Sequence, residues 1–364
     1  MLRKIAFVVF SLRGGGAERV VSQLSNELAV RLEVSIIQLS DTEPFYRLDD
    51  RVRDFRYVGS NTGLLRYVGL ARYLYTTFRR VKPDVVVSFG ETISPFVIAV
   101  AKIARVPVVA SNRASPLSSL QGRRGWLNPM MFRFADAVLV QTRRAIDILS
   151  SRFRGCRWIV MENPVRVPDE VPPDRLRENI CVSVGYLGDK KNQSAVIRAF
   201  AQSAPSDWSL VIVGDGPDRA ALECLARESG IDKRVQFTGA VDDVYSILLR
   251  AQVFAFASRS EGFPNALAEA MACGCACISY DCMTGPAELI DQGSSGLLVD
   301  LDDEHALASG LQRLMNKPSL REQLSTGARQ RAKELCVARI SERFLDSITA
   351  TIYSGRPGVS VDRG

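Results

Sequence analysis

The 364-residue chain has almost no histidine: His305 is the only one. Chemistry that depends on imidazole as its acid or base therefore has little to work with. It also lacks any apolar run long enough to span a bilayer. The amino terminus enters an apolar strand, Ile5 to Phe10, without the basic, apolar and cleavage-site succession of a secretory leader. The expected location is therefore the cytoplasm. Eight cysteines in a chain of this length do not suggest a disulfide framework. Cys273, Cys275 and Cys277 straddle a helix end and the strand after it, where cysteine serves as a small apolar residue rather than a metal ligand. A third glycine is missing twice. Arg19 follows Gly14-Gly15-Gly16 and Arg219 follows Gly214-Asp215-Gly216 where the dinucleotide fingerprint G-x-G-x-x-G needs one.

What the chain does have is concentrated in Ser258 to Ser279, SRSEGFPNALAEAMACGCACIS. A short apolar run, Val253 to Ala257, reads as a buried strand. Pro264 suits the first turn of a following helix and Gly274 its end. The amides of Asn265, Ala266 and Leu267 are then expected to lie unpaired at a positive helix terminus beside the carboxyl end of that strand. An α/β sheet binds anions there. Glu261 precedes the helix and Glu269 lies inside it, with seven residues between them.

Two glutamates spaced in this way around Gly262-Phe263-Pro264-Asn265-Ala266-Leu267 resemble the nucleotide-sugar signature of family 4 retaining glycosyltransferases of GT-B fold. The resemblance implies that Glu261 touches the donor sugar, Glu269 holds the ribose hydroxyls and the helix-start amides hold the diphosphate. A two-oxygen acceptor suits a diol, and N–H donors with a helix dipole suit a diphosphate. Gly15 and Gly16, in the stretch Gly15-Gly16-Ala17-Glu18-Arg19, resemble the family loop that lies across from the donor phosphates. Gly185-Tyr186-Leu187 through Lys191 resembles the stretch in which an arginine and a lysine grasp the diphosphate. Lys191 matches the lysine, but Tyr186 replaces the arginine, and a neutral phenol is no substitute for a bidentate cation. Arg259 or an arginine of the other domain supplies the missing charge, or the diphosphate is held less tightly. Val213-Gly-Asp-Gly-Pro217 and Gly285-Pro286 with Glu288 are further family elements, and Gly239, Ala240 and Val241 are expected to meet a base edge through their backbone. Many family members carry a histidine near Ser111. Here Asn112 and Arg113 are the acceptor-side candidates.

Length alone asks for two domains. Asn163 to Pro173, NPVRVPDEVPP, reads as the linker between them. The expected division is residues 1–165 for the acceptor, 166–336 for the nucleotide sugar, a helix over 337–354 crossing back to the first domain, and a disordered tail over 355–364. The net charge of +7 conceals +13 over residues 1–168 and −6 over the rest. A basic half of this kind suits an anionic surface, either lipid or nucleic acid. Two segments in it interleave arginine with aromatic residues. One is Leu64 to Val81, with Arg66, Arg72, Arg79 and Arg80; the other is Gln121 to Phe134, with Arg123, Arg124 and Arg133. Each fits a membrane-surface segment or an ordinary core helix.

The expectation is therefore two doubly wound, Rossmann-like α/β domains facing across a cleft. They would carry out metal-independent, retaining transfer from a UDP-sugar to a glycan or polyprenyl-pyrophosphate-linked acceptor on the inner face of the membrane. The nucleotide sugar is a substrate, so no cofactor is expected. Neither is a nucleic-acid partner. Glu261 and Lys191, with Asn112 and Arg113, are the catalytic candidates. Two other readings remain: a nucleotide-sugar epimerase on the same fold, for which one histidine leaves few acid–base groups, and a basic nucleic-acid-binding protein, which leaves the second domain without a role.

Overall fold

The computed structural model describes residues 2–13, 15–59, 63–122 and 124–353, with Leu64 and Arg124 described by backbone alone. Arg123 and the 355–364 tail lie outside the described residues. The chain forms two compact units. Unit 1 comprises Met1–Pro164 with Val337–Gly364, and unit 2 comprises Val165–Cys336.

Unit 1 is built on a parallel sheet. Its strands are β1 (Lys4–Val9), β2 (Glu33–Gln38), β3 (Arg53–Arg56), β4 (Val85–Ser88), β5 (Val108–Ser111), β6 (Ala137–Val140) and β7 (Trp158–Val160). Their order is β3-β2-β1-β4-β5-β6-β7. Ile5 pairs with Val34 on one side and Val85 on the other, so the strand order reverses between β1 and β4. The inner strands are buried on both faces, which is why they read as unbroken Val, Ile and Ala runs. Helix Val337–Tyr353 packs on unit 1 with Ile340, Phe344 and Ile348 buried, and Phe344 stacks on Phe7 at 5.9 Å.

Unit 2 repeats the plan with β8 (Glu178–Val184), β9 (Ser209–Val213), β10 (Val235–Gly239), β11 (Ala251–Phe256), β12 (Ala276–Tyr280) and β13 (Leu297–Val299). Their order is β10-β9-β8-β11-β12-β13, all parallel. The reversal now falls between β8 and β11. Open sheets of this kind bind ligands at the carboxyl ends of the two strands flanking the reversal. In unit 2 those ends lead into Gly185–Asn192 and Ala257–Pro264, and in unit 1 into Phe10–Gly15 and Phe89–Glu91.

Three strands have no counterpart in the sequence reading, β3, β7 and β13. All three are edge strands, and β3 has the sequence Arg-Asp-Phe-Arg.

Candidate active site

In unit 2 the loop after β8 and the loop after β11 bring Lys191 and Glu261 together from 70 residues apart. Lys191 Nζ donates to Glu261 Oε1 at 2.6 Å. The ammonium also lies 5.3 Å from the centroid of the Phe256 ring, which closes the end of β11 beneath it. The Lys191 side chain keeps 26% of its exposure and Glu261 only 10%, so the pair is screened from most solvent. Thr284 Oγ1 donates to the Glu261 carbonyl and fixes the loop from the far side. Burial, with Glu261 as a nearby negative charge, pushes the Cys282 thiol up to about 12.

The helix that follows is Asn265–Ala272, and its start differs from the sequence expectation. Pro264 sits at the cap with φ −82° and ψ 73°, not inside the first turn. These are the angles of an inverse γ-turn, whose i to i+2 hydrogen bond is present: Asn265 N–H donates to the Phe263 carbonyl at 2.9 Å. Asn265 therefore leaves the set of unpaired amides. Ala266 and Leu267 keep theirs without an acceptor among the described residues. The turn needs Gly285 beside it, because a Cβ there would stand 2.4 Å from Pro264 Cδ, and its φ of +107° already disfavours a side chain.

The other end of this helix is held by Arg177, which the sequence reading passed over. Its guanidinium donates to the carbonyls of Cys273 at 2.7 Å and Gly274 at 2.9 Å, to Ala251 at 2.9 Å and, through Nε, to Pro172 at 2.9 Å. A buried cation against the carboxyl end complements the helix dipole whose positive end carries the two open amides. Glu269 lies one turn inside the helix and is buried. Cys273, Cys275 and Cys277 are buried as well, and burial raises all three thiols.

The remaining candidates of unit 2 are less uniform. Tyr186 is 65% exposed. Arg259 is engaged, with Nε donating to Asp302 and Nη1 to Asp189, each at 2.9 Å, and those carboxylates strengthen its hold on its proton. A diphosphate would have to compete with both. The Gly239 carbonyl is taken by Gly214 N–H at 2.9 Å, while Ala240 and Val241 are exposed. The glycines of Val213-Gly-Asp-Gly-Pro217 serve packing. Gly214, at φ +131°, has no room for a Cβ, which would fall 2.0 Å from the Gly185 carbonyl. Gly185 N–H in turn donates to Val213 at 2.9 Å, so the two loops are laced together.

Gly15 and Gly16 belong to unit 1, where Gly15 caps the helix Gly16–Leu28 after β1. Asn112 and Arg113 follow β5 and diverge. Asn112 is buried, and its Oδ1 accepts from Ser119 Oγ at 3.1 Å, so it serves the interior. Arg113 lies over the Phe89 ring at 4.6 Å and donates through Nη2 to Asn163.

Comparison with known proteins bears on this geometry. The profile of the family described as "Glycosyl transferases group 1" matches residues 169–331, and that of "Glycosyltransferase Family 4" matches residues 14–167. A Campylobacter jejuni serotype O:2 protein is 30% identical over 95% of this chain and 98% of its own. It is named GalNAc-alpha-(1->4)-GalNAc-alpha-(1->3)-diNAcBac-PP-undecaprenol alpha-1,4-N-acetyl-D-galactosaminyltransferase. The chain is a family 4 glycosyltransferase. A second protein of that organism, N-acetylgalactosamine-N,N'-diacetylbacillosaminyl-diphospho-undecaprenol 4-alpha-N-acetylgalactosaminyltransferase, is 26% identical to it over 94% of this chain and 99% of its own. Among solved structures, Anabaena HepE in complex with UDP superposes with a TM-score of 0.81, at 19% identity, over 95% of the glycosyltransferase and 100% of that chain. The two Rossmann-like units are those of the GT-B fold. As an enzyme class, transfer replaces the alternative of epimerisation.

Proposed function

We propose that this glycosyltransferase moves a sugar from a UDP-sugar, with retention and without a metal ion, onto a glycan or polyprenyl-pyrophosphate-linked acceptor at an anionic membrane surface. The observation that carries the reading is the cluster at the β8/β11 reversal: Lys191 on Glu261, the open amides of Ala266 and Leu267, and Glu269 within the same helix. A diphosphate finds N–H donors, a helix dipole and an ammonium there, and a ribose diol finds a carboxylate. In the reaction the bond from the anomeric carbon to the diphosphate oxygen breaks and its electron pair leaves with UDP. The acceptor oxygen forms the new bond on the same face, and its proton passes to the departing phosphate. Glu261 supports the positive charge that develops on the sugar, while Lys191 and the amides neutralise the leaving group. Donor and acceptor classes agree with the names of the similar proteins, which include a UDP complex and undecaprenol-linked substrates.

The membrane part rests on unit 1. Leu65, Tyr67 and Val68 on helix Gly63–Val81, and Trp126 and Met130 on helix Arg124–Phe132, are exposed. Arg72, Arg79 and Arg80 are exposed on the first of these helices, while Phe78 and Phe132 are buried. Each of the two segments thus has buried core residues together with an exposed apolar set, which supports the membrane-surface reading. A few basic residues at about 1 kcal/mol each suffice for reversible attachment to anionic lipid, and no helix among the described residues is long and apolar enough to cross a membrane.

The test is mass spectrometry of products from a panel of nucleotide sugars incubated with membrane lipid extract, with and without excess EDTA. A UDP-sugar-dependent mass increment on a lipid-linked glycan that survives EDTA is expected. Activity only with another nucleotide, or abolished by EDTA, refutes the assignment.

A further inference from the structure

Unit 2 also holds a cavity of about 600 Å³ that is lined by none of the donor-site residues. One wall is Val171 to Asp174 with Arg177, the segment that leads into β8. The other is a face of the helix Pro318–Lys333. The cavity therefore lies toward the amino ends of the strands, whereas Lys191, Glu261 and the open amides lie at the carboxyl ends. The helix Asn265–Ala272, about 12 Å long at 1.5 Å per residue, runs from one region toward the other.

Three cations line this space: Arg177, Arg329 and Lys333. Arg329 and Lys333 stand one turn apart on the same side of their helix, with Ser325 one turn earlier. Gly274 lets two of the cations converge. A Cβ there would stand 2.9 Å from Arg177 Nη2, 3.0 Å from Ser325 Oγ and 3.1 Å from Arg329 Cδ. None of the three cations makes an ion pair among the described residues. Arg177 gives its hydrogen bonds to neutral carbonyls, and Arg329 Nε is buried without a hydrogen-bond partner. Of the two carboxylates in the lining, Asp174 is taken by Arg321, whose Nη2 lies 3.0 Å from it. Glu322 is exposed, and water and salt screen it. Like charges gathered beside a sealed donor cost free energy unless an anion meets them.

The volume says what kind of anion. It falls in the middle of the roughly 300–1,000 Å³ of small-molecule pockets, far more than a bare phosphate fills. A guanidinium with an ammonium one turn away suits a phosphoryl dianion better than a single carboxylate. The rest of the molecule meets Thr326 and Gln330, both exposed. Thr326 Oγ1 donates to the Glu322 carbonyl at 2.9 Å and so keeps its lone pairs for a hydroxyl proton, and the Gln330 amide can donate or accept.

We infer that this cavity binds a small soluble phosphate monoester of about hexose size, with Arg329 and Lys333 donating to its phosphoryl group. The site is distinct from the donor site and does not depend on the transfer reaction proposed above.

The probe is a hexose 6-phosphate, titrated by calorimetry into the full chain with UDP saturating the donor site. Lys333→Glu reverses an exposed charge, and Arg329→Gln removes the guanidinium, with circular dichroism confirming the fold of each. One-to-one binding of the ester, weakened fivefold or more in both variants, is expected. The inference is overturned if the ester does not bind, or if the folded Lys333→Glu variant binds it undiminished. Inorganic phosphate binding as tightly as the ester would mean an adventitious ion only, and overturns it too. In a parallel arm, binding to phosphatidic acid vesicles but not to the ester would assign the cations to a lipid headgroup and overturn the soluble ligand.

Discussion

Replacing Glu261 by glutamine separates ground-state binding from catalysis, because its carboxylate pairs with the ammonium that the proposed function gives to the diphosphate. At a few ångströms two unit charges interact by about 4 kcal/mol at the effective dielectric found near protein surfaces. Lys191 retains a quarter of its exposure, so desolvation and competition from water leave roughly 1–2 kcal/mol of that as net attraction. Glutamine keeps the shape and one oxygen acceptor but frees the positive charge. UDP should then bind Glu261→Gln about five- to thirty-fold more tightly, at 1.4 kcal/mol per decade. Turnover should fall, on the order of 10²- to 10³-fold, if the carboxylate supports the developing charge on the sugar. Calorimetry with UDP and a continuous assay of UDP release measure the two effects, with circular dichroism confirming the fold. Equal or weaker UDP binding by the folded variant would refute the idea that Glu261 and the diphosphate compete for Lys191.

Three further outcomes follow from the same geometry. Glu269→Ala should weaken UDP by about 1.5–3 kcal/mol, the usual worth of a charge-assisted hydrogen bond; unchanged affinity in a folded variant would remove Glu269 from the ribose. Tyr186→Arg places a cation at an exposed position of the loop that carries Lys191, and should tighten UDP binding measurably; no gain would mean that the loop needs no second charge. Arg177→Met removes four hydrogen bonds to carbonyls and should lower the midpoint of thermal unfolding by about 2–4 °C for each kcal/mol lost from a unit of this size, and an unchanged melting curve would show that the carbonyls find other donors.

The inner strands were legible because burial on both faces forces apolar runs such as Ile-Ala-Phe-Val-Val and Val-Phe-Ala-Phe. β3 was not, because an edge strand with half-buried residues shows no such run; its pairing is dictated by β2, with Ile37 opposite Phe55. At the candidate site, proline, glycine and glutamate spacing located the helix start, since those residues act through local backbone geometry. What stayed hidden was long-range. Arg177 reaches Gly274 across 97 residues, and no local pattern distinguishes it from a surface arginine. Asn112 sits at the end of its strand as expected, but whether its amide faces a ligand or Ser119 is decided by a neighbouring segment. The γ-turn at Pro264 needed the actual backbone angles, because proline is equally at home in the first helical turn.

The return of helix Val337–Tyr353 to unit 1 bears on how the protein is made. Unit 2 is one continuous stretch and can close as soon as it leaves the ribosome. Unit 1 must wait for its last helix until all 172 residues of Val165–Cys336 have been synthesised, about 10–35 s at ordinary elongation rates. During that interval Phe7 lacks its Phe344 cover and the apolar side of helix Gly16–Leu28 is partly bare. A nascent chain in that state is a natural client for a holding chaperone. A gene truncated at Cys336 would strand it there permanently, so attempts to express unit 1 alone should graft residues 337–353 back onto it rather than stop at Pro164.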